Sequence, residues 1–215
     1  MITYISQALV VGQIGAWSLE QYEELGMLTI LETAINAFRF SLEFLPENHP
    51  LKPAALNRLG ICLTKRFKRL GNVADLDLED AVTSYRQAIH LTRGGDADKL
   101  ALLSNLGDSL QMRFERFGDL ADLDEIITAM QQATHLTPDD HPDKALDLIH
   151  LGISFRERFG RLGNRVDLDE AVAVHQQAVH LTPDGDVDKP VRLPMLGRSL
   201  KCGLSVSVIW LILMK

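Results

Sequence analysis

The chain has 215 residues, 46% apolar, 24% charged and 6% aromatic, with a formal charge of −7. That apolar share is too high for a disordered tail, and a pI near 5.5 argues against nucleic acid as a partner. Two cysteines, Cys62 and Cys202, cannot build a disulfide framework, and with no Asn-x-Ser/Thr acceptor present the chain fits a reducing, cytoplasmic setting.

From the N-terminus, Ala8 to Leu25 reads as a first helix. It lacks the basic start of a signal sequence, and Gly15 and Gly26 stand 11 apart, as Gly60 and Gly71 do. Residues 1–50 are therefore a degenerate copy of a repeat that becomes plain afterwards. Leu59-Gly60, Leu106-Gly107, Leu151-Gly152 and Leu196-Gly197 recur at spacings of 47, 45 and 45. Arg66-Phe67, Arg113-Phe114 and Arg158-Phe159 follow in register, then Gly71, Gly118 and Gly163, then His90-Leu-Thr, His135-Leu-Thr and His180-Leu-Thr. Full units are expected over 51–97, 98–142 and 143–187, and a fifth unit starts over 188–201.

Each unit predicts two helices. Leu103, Leu106, Leu110, Phe114 and Phe117 make one apolar stripe, and Leu123, Ile126, Ile127, Met130 and Ala133 make another. Gly118 suits a left-handed C-terminal cap, Asp122 with Glu125 and Asp167 with Glu170 have capping-box spacing, and Thr137-Pro138 and Thr182-Pro183 stop the second helix. Neither helix buries its stripe alone, so the units stack into an all-α, right-handed solenoid. The Phe67/Phe114/Phe159 slot is expected to supply the largest apolar side chain of each unit.

The last stretch departs from the pattern. Cys202–Met214 is apolar but only 13 residues long, too short to span a membrane, and reads as the edge of a longer or mispredicted chain, as a seam for self-association, or as a hydrophobic cap folding back.

The pattern of Leu-Gly, a large residue at Leu63, Leu110 or Phe155, then Ala81/Tyr85/Ala88, Ile126/Met130/Ala133 or Ala171/His175/Ala178, and Pro138 or Pro183, resembles the tetratricopeptide repeat over residues 8–201. Arg93 replaces the proline in one unit, and 45 residues exceed that family's usual unit of about 34. The phrases Arg113-Phe-Glu-Arg-Phe-Gly and His135-Leu-Thr-Pro-Asp-Asp-His-Pro-Asp-Lys resemble long-unit arrays of basidiomycete fungi, which often accompany a CHAT (caspase-like) protease or a nucleotide-binding module. The resemblance implies a non-enzymatic scaffold that binds a protein or peptide in a concave groove. An alternative is a regulatory array cut from a larger CHAT protease or nucleotide switch.

Candidate partner-binding residues fall in two sets. Arg66, Arg113 and Arg158, with Arg69, Arg116 and Arg161 three residues on, form a ladder. It either holds a partner's carboxylates or pairs internally with Glu115, Glu157 or the Asp-Leu-Asp loops near helix ends. Asn57, Ile61, Asn105, Asp108, Ile153 and Arg156 occupy first-helix positions facing the expected groove. The clamp that some tetratricopeptide domains close on a C-terminal carboxylate needs Lys and Arg donors, and of its slots only Asn105 conforms.

No catalytic, cofactor or metal site is expected. His90, His135 and His180 lie in successive units, too far apart for one ion, and His175 reads as a core-edge residue. Asp184, Asp186 and Asp188 lack the glycine and glutamate of a calcium loop, since Lys189 and Met195 stand there. Asp75/Asp77, Asp122/Asp124 and Asp167/Asp169 read as helix caps, and Cys62 as a small packed residue.

Overall fold

The computed structural model describes residues 2–71, 75–92, 96–141 and 143–182. The expected fifth unit, the apolar tail, Arg93, Pro183 and the Asp184/Asp186/Asp188 triplet lie outside these residues. Among the described residues there are eight helices and no strand: α1 (Ile2–Leu25), α2 (Leu28–Phe44), α3 (Lys52–Leu70), α4 (Asp75–Leu91), α5 (Asp96–Phe117), α6 (Leu120–Leu136), α7 (Lys144–Leu162) and α8 (Arg165–His180).

Glycine ends the first helix of each pair. Gly26, Gly71, Gly118 and Gly163 have φ of 65°, 60°, 73° and 67°, a region where an L side chain costs roughly 1–2 kcal/mol. The Gly163 N–H donates to Phe159 O at 2.7 Å, closing the last turn of α7. After Gly118 and Gly163 one residue separates the glycine from the next helix, and its side chain is the cap. Asp119 accepts from the Ala121 N–H at 3.0 Å and Asn164 from the Val166 N–H at 3.2 Å. The expected caps Asp122 and Asp167 are instead buried inside the first turns of α6 and α8, because the glycine ends the preceding helix so close to the next that each helix begins before them. α1 also starts earlier than Ala8, at Ile2.

The chain divides into two compact bodies, residues 1–116 and 117–215. In the first, α1 packs on α2 and α3 on α4 by setting glycine against a large side chain: Gly15 faces Phe38 and Gly60 faces Tyr85. α2 meets α3 where Leu45 packs with Ala55 and Ala8. Leu31, Ile35, Phe38, Leu63, Leu78, Val82, Tyr85, Leu103 and Leu110 are enclosed completely or nearly so. Among them sits a polar cluster in which Thr64 and Ser109 share a hydrogen bond at 3.0 Å and the Tyr85 hydroxyl joins both; burial pushes the phenol pKa up. In the second body, α7 packs on α6 and α8, Gly152 faces His175, and Leu148, Ile149 and Ala178 form a core extended by Ile153, Val174 and Leu181.

The phenylalanine slot differs from expectation. Phe114 is buried, but Phe67 and Phe159 are half-buried, and the other enclosed rings of the first body are Phe38 and Tyr85 of the second helices. The ring rests where glycine removes a Cβ, so it is the Leu-Gly slot that decides which side chain fills the core.

A lysine fastens successive pairs. Lys52 Nζ reaches Leu45 O at 3.4 Å, the carbonyl just past the end of α2, and forms an ion pair with Glu47 at 2.5 Å. Its counterpart Lys144, almost fully buried, donates to Thr137 O at 2.7 Å and to Thr134 O at the end of α6. Cations belong there, where helix carbonyls lack partners.

Candidate partner-binding surfaces

The arginine ladder is engaged within the protein. Arg66 grips Asp77 with two bonds, Nε to Oδ2 at 2.7 Å and Nη2 to Oδ1 at 2.6 Å. Arg158 repeats this on Asp167 at 3.1 and 2.6 Å, adds Asp124 at 2.7 Å, and lies over the Phe155 ring at 5.8 Å. The carboxylates are buried, with side chains of Asp77 and Asp167 only 6% and 2% exposed, while the arginines keep about a fifth of their surface in solvent. Each arginine thus supplies the charge that lets an aspartate sit inside the helix pair. These hydrogen bonds hold the guanidinium pKa above its ordinary value. Arg113 pairs with Glu79 at 2.5 Å, and Arg116, one turn on, holds Asp75 with two bonds at 3.0 and 3.1 Å near the surface.

The groove candidates divide differently. Asn57 on α3 and Asn105 on α5 come together, the Asn105 amide donating to Asn57 Oδ1 at 3.0 Å. Ile61 is half-buried and Asp108 exposed in the same body. In the second body Ile153 packs on the Leu148–Ile149–Ala178 cluster, so its side chain serves the core, and Arg156 is half-buried. Beside the asparagine pair opens a cleft of about 560 Å³ whose lining includes Asn57, Ala101 and Leu102, with Glu47, Asn48 and Asp98 as polar and acidic members. Sequence reading named both asparagines singly. The signal that joins them is their separation of 48, close to one repeat, which puts them in neighbouring first helices at the same height.

The remaining candidates have structural surroundings. His175 is buried rather than at the core edge, its Nε2 lying 3.3 Å from Ile149 O; desolvation pushes its pKa down against the effect of that carbonyl. His90, His135 and His180 are exposed, and among the described residues no group of three or more His, Cys, Asp or Glu could hold a metal. Cys62 is fully buried, and desolvation raises its thiol to about 12. No described helix is long and apolar enough to cross a membrane.

No protein family matches the chain, and no curated protein does. Among solved structures, the MamA protein, which is tetratricopeptide-like, aligns over 90% of each chain with a TM-score of 0.53 and 16% identity. The fold is an all-α helical repeat. A de novo designed helical repeat protein aligns over 91% of this chain and 99% of its own at a TM-score of 0.37 and 15% identity.

Proposed function

We propose that the chain is a non-enzymatic interaction scaffold that binds a peptide segment of a partner protein against α3 and α5. The carrying observation is the Asn105–Asn57 bond at the edge of the cleft. Residues that recur between units, such as Arg66 and Arg158 with the aspartates they hold and the glycines set against large side chains, are consumed by packing. Asn57, Ile61, Asn105 and Asp108 vary from unit to unit and keep surface.

After their mutual bond the two amides retain donors and an acceptor, the complement of a peptide backbone running past them. Lys52 already meets the charge of Glu47, and the exposed Asp98 leaves the cleft an acidic group that disfavours a partner's terminal carboxylate and favours a segment with a lysine or arginine. That agrees with the missing cationic donors of the carboxylate clamp. The long unit and the phrase Arg113-Phe-Glu-Arg-Phe-Gly support placing the chain with long-unit fungal arrays, and a cytoplasmic setting belongs to the same proposal.

The test is a peptide-display selection against the full chain, followed by calorimetric titration of the selected peptides. Asn57→Ala and Asn105→Ala are expected to weaken them about tenfold, the value of one or two net hydrogen bonds, with an unchanged melting temperature. Selected peptides that bind both variants as tightly as the parent would overturn the reading.

A further inference from the structure

Leu45, Thr92 and Thr137 hold the same slot just past the second helices, and Lys52, Lys99 and Lys144 each follow seven residues later. At two of these three junctions the lysine ammonium returns to the carbonyl: Leu45 O accepts from Lys52 Nζ and Thr137 O from Lys144 Nζ. Each of these ammonium groups also meets an acid two residues past that carbonyl, Glu47 at 2.5 Å and Asp139 at 3.2 Å. In the middle unit Gly94 stands in the slot of the acid. Lys99 makes no hydrogen bond or ion pair among the described residues, and no described group donates to Thr92 O. The carbonyl that binds an ammonium twice in this fold is thus left without one at the α4–α5 junction.

That junction borders the cleft. Thr92 lines it together with Asp98, Ala54, Ala101 and Leu102. The Thr92 hydroxyl donates to Ala88 O at 2.7 Å, so its oxygen keeps lone pairs for another donor. In the second body the matching hydroxyl of Thr137 is also bonded to Asp147, whereas the residue in the slot of Asp147 is here Leu102. Two alanines make the room: Ala54 on α3 and Ala101 on α5 share a slot that α1 and α7 fill with Leu9 and Leu146. The described lining contains no lysine or arginine, and Asp98 is exposed with no cation paired to it among the described residues.

We infer that the cleft receives the side chain of a lysine from the partner segment, its ammonium on Thr92 as those of Lys52 and Lys144 are on Leu45 and Thr137. This rests on the reading that a partner segment binds in the cleft. Asp98 supplies the countercharge that Gly94 does not, and its carboxylate, the Thr92 carbonyl and the Thr92 hydroxyl offer acceptors to the three N–H donors of an ammonium. The four-carbon stem lies along Ala54, Ala101 and Leu102. Arginine suits the site less well, because its planar fork favours a carboxylate held in its own plane over a carbonyl and a hydroxyl. Acetylation of the partner's lysine removes the charge and with it the attraction to Asp98.

The probe is Nα-acetyl-lysine N-methylamide, titrated at millimolar concentration into the full chain while the side-chain amide signals of Asn57 and Asn105 are followed by NMR. A saturable shift is expected, at least tenfold weaker with the Nε-acetylated probe and weaker with the arginine analogue. Asp98→Asn is expected to weaken the lysine probe about tenfold with the probe-free spectrum preserved. Lys99→Met is expected to leave binding as tight as in the parent, or tighter.

No shift, an equal shift with the Nε-acetylated probe, or undiminished binding to Asp98→Asn overturns the inference. Binding that emerges only in Lys99→Met would mean that Lys99 fills the site itself, and overturns it too. Selected peptides that need Asn57 and Asn105 but bind as well with norleucine in place of every lysine would overturn this inference alone and leave the scaffold reading standing. Lysine-probe binding that Asp98→Asn weakens, beside selected peptides indifferent to both asparagines, would support the lysine site and remove the asparagine reading.

Discussion

Gly60 and Tyr85 fit because one of them has no side chain: a Cβ on residue 60 would stand 2.6 Å from the ring Cζ of Tyr85. The ring is 1% exposed and tied through its hydroxyl to Thr64 and Ser109, so it has nowhere to retreat. Gly60→Ala is therefore expected to cost about 1–3 kcal/mol, the usual range for overpacking, in a urea melt. In a Tyr85→Ala background the same change is expected to cost almost nothing. Equal costs in both backgrounds would show that the ring is not what the glycine accommodates.

Arg66 near the end of α3 and Arg116 near the end of α5 should behave oppositely. Arg66→Ala strands the buried Asp77 carboxylate and is expected to lower stability by about 2–3 kcal/mol, somewhat less than for a fully buried pair because Arg66 keeps some solvent. Arg116→Ala breaks a surface pair with Asp75 and is expected to leave the melting curve in place. Parallel melts decide it, and similar behaviour of the two variants would contradict the burial of Asp77.

Acid should loosen the second body through His175. Its folded pKa lies below the unfolded value of about 6.5, so the unfolded chain takes up the proton first. Stability is full above that value and falls as pH drops from there toward the lowered folded pKa. His175→Tyr, which installs the residue that Tyr85 provides in the same slot, is expected to remove this part of the pH dependence. Denaturant melts of both proteins at pH 7.5 and 5.5, above and below the unfolded value, check it.

Phe114→Ala is expected to cost about 3–5 kcal/mol, and Phe67→Ala or Phe159→Ala clearly less, because only the first ring is buried. An equal loss at the three positions by denaturant titration would be the contrary result.

Cys62 should be inert while the protein is folded. With its thiol raised to about 12 and no exposed surface, a Cys202→Ser variant is expected to show no reaction with a thiol reagent at pH 8 until denaturant is added.

The period, the helix pairs and the capping glycines were legible because each depends on residues local to one helix: an apolar stripe, or a residue that tolerates positive φ. What escaped depended on where one helix meets the next. Asp122 and Asp167 looked like caps by spacing, but the glycine four residues before each had already brought in Asp119 and Asn164, leaving the aspartates to be buried. The arginine ladder was visible with both its readings, and only the distance to Asp77 and Asp167 showed where its charge goes. Lys52, Lys99, Lys144 and Lys189 recur as regularly as the arginines, yet their spacing alone does not reveal that a lysine reaches back to carbonyls at the end of the preceding helix. Asn57 and Asn105 meet for the same reason, since contacts between units are written across two copies of the repeat.

The lysine fasteners also give the array a built-in chemical reporter. Lys144 is 7% exposed and its ammonium is spent on the carbonyls of Thr134 and Thr137, so an acylating reagent meets it only when the α6–α7 junction opens. Lys52, at the α2–α3 junction, is nearly as sheltered, whereas Lys68 on the surface of α3 is free to react at once. The order in which these amines are labelled would read the breathing of individual junctions.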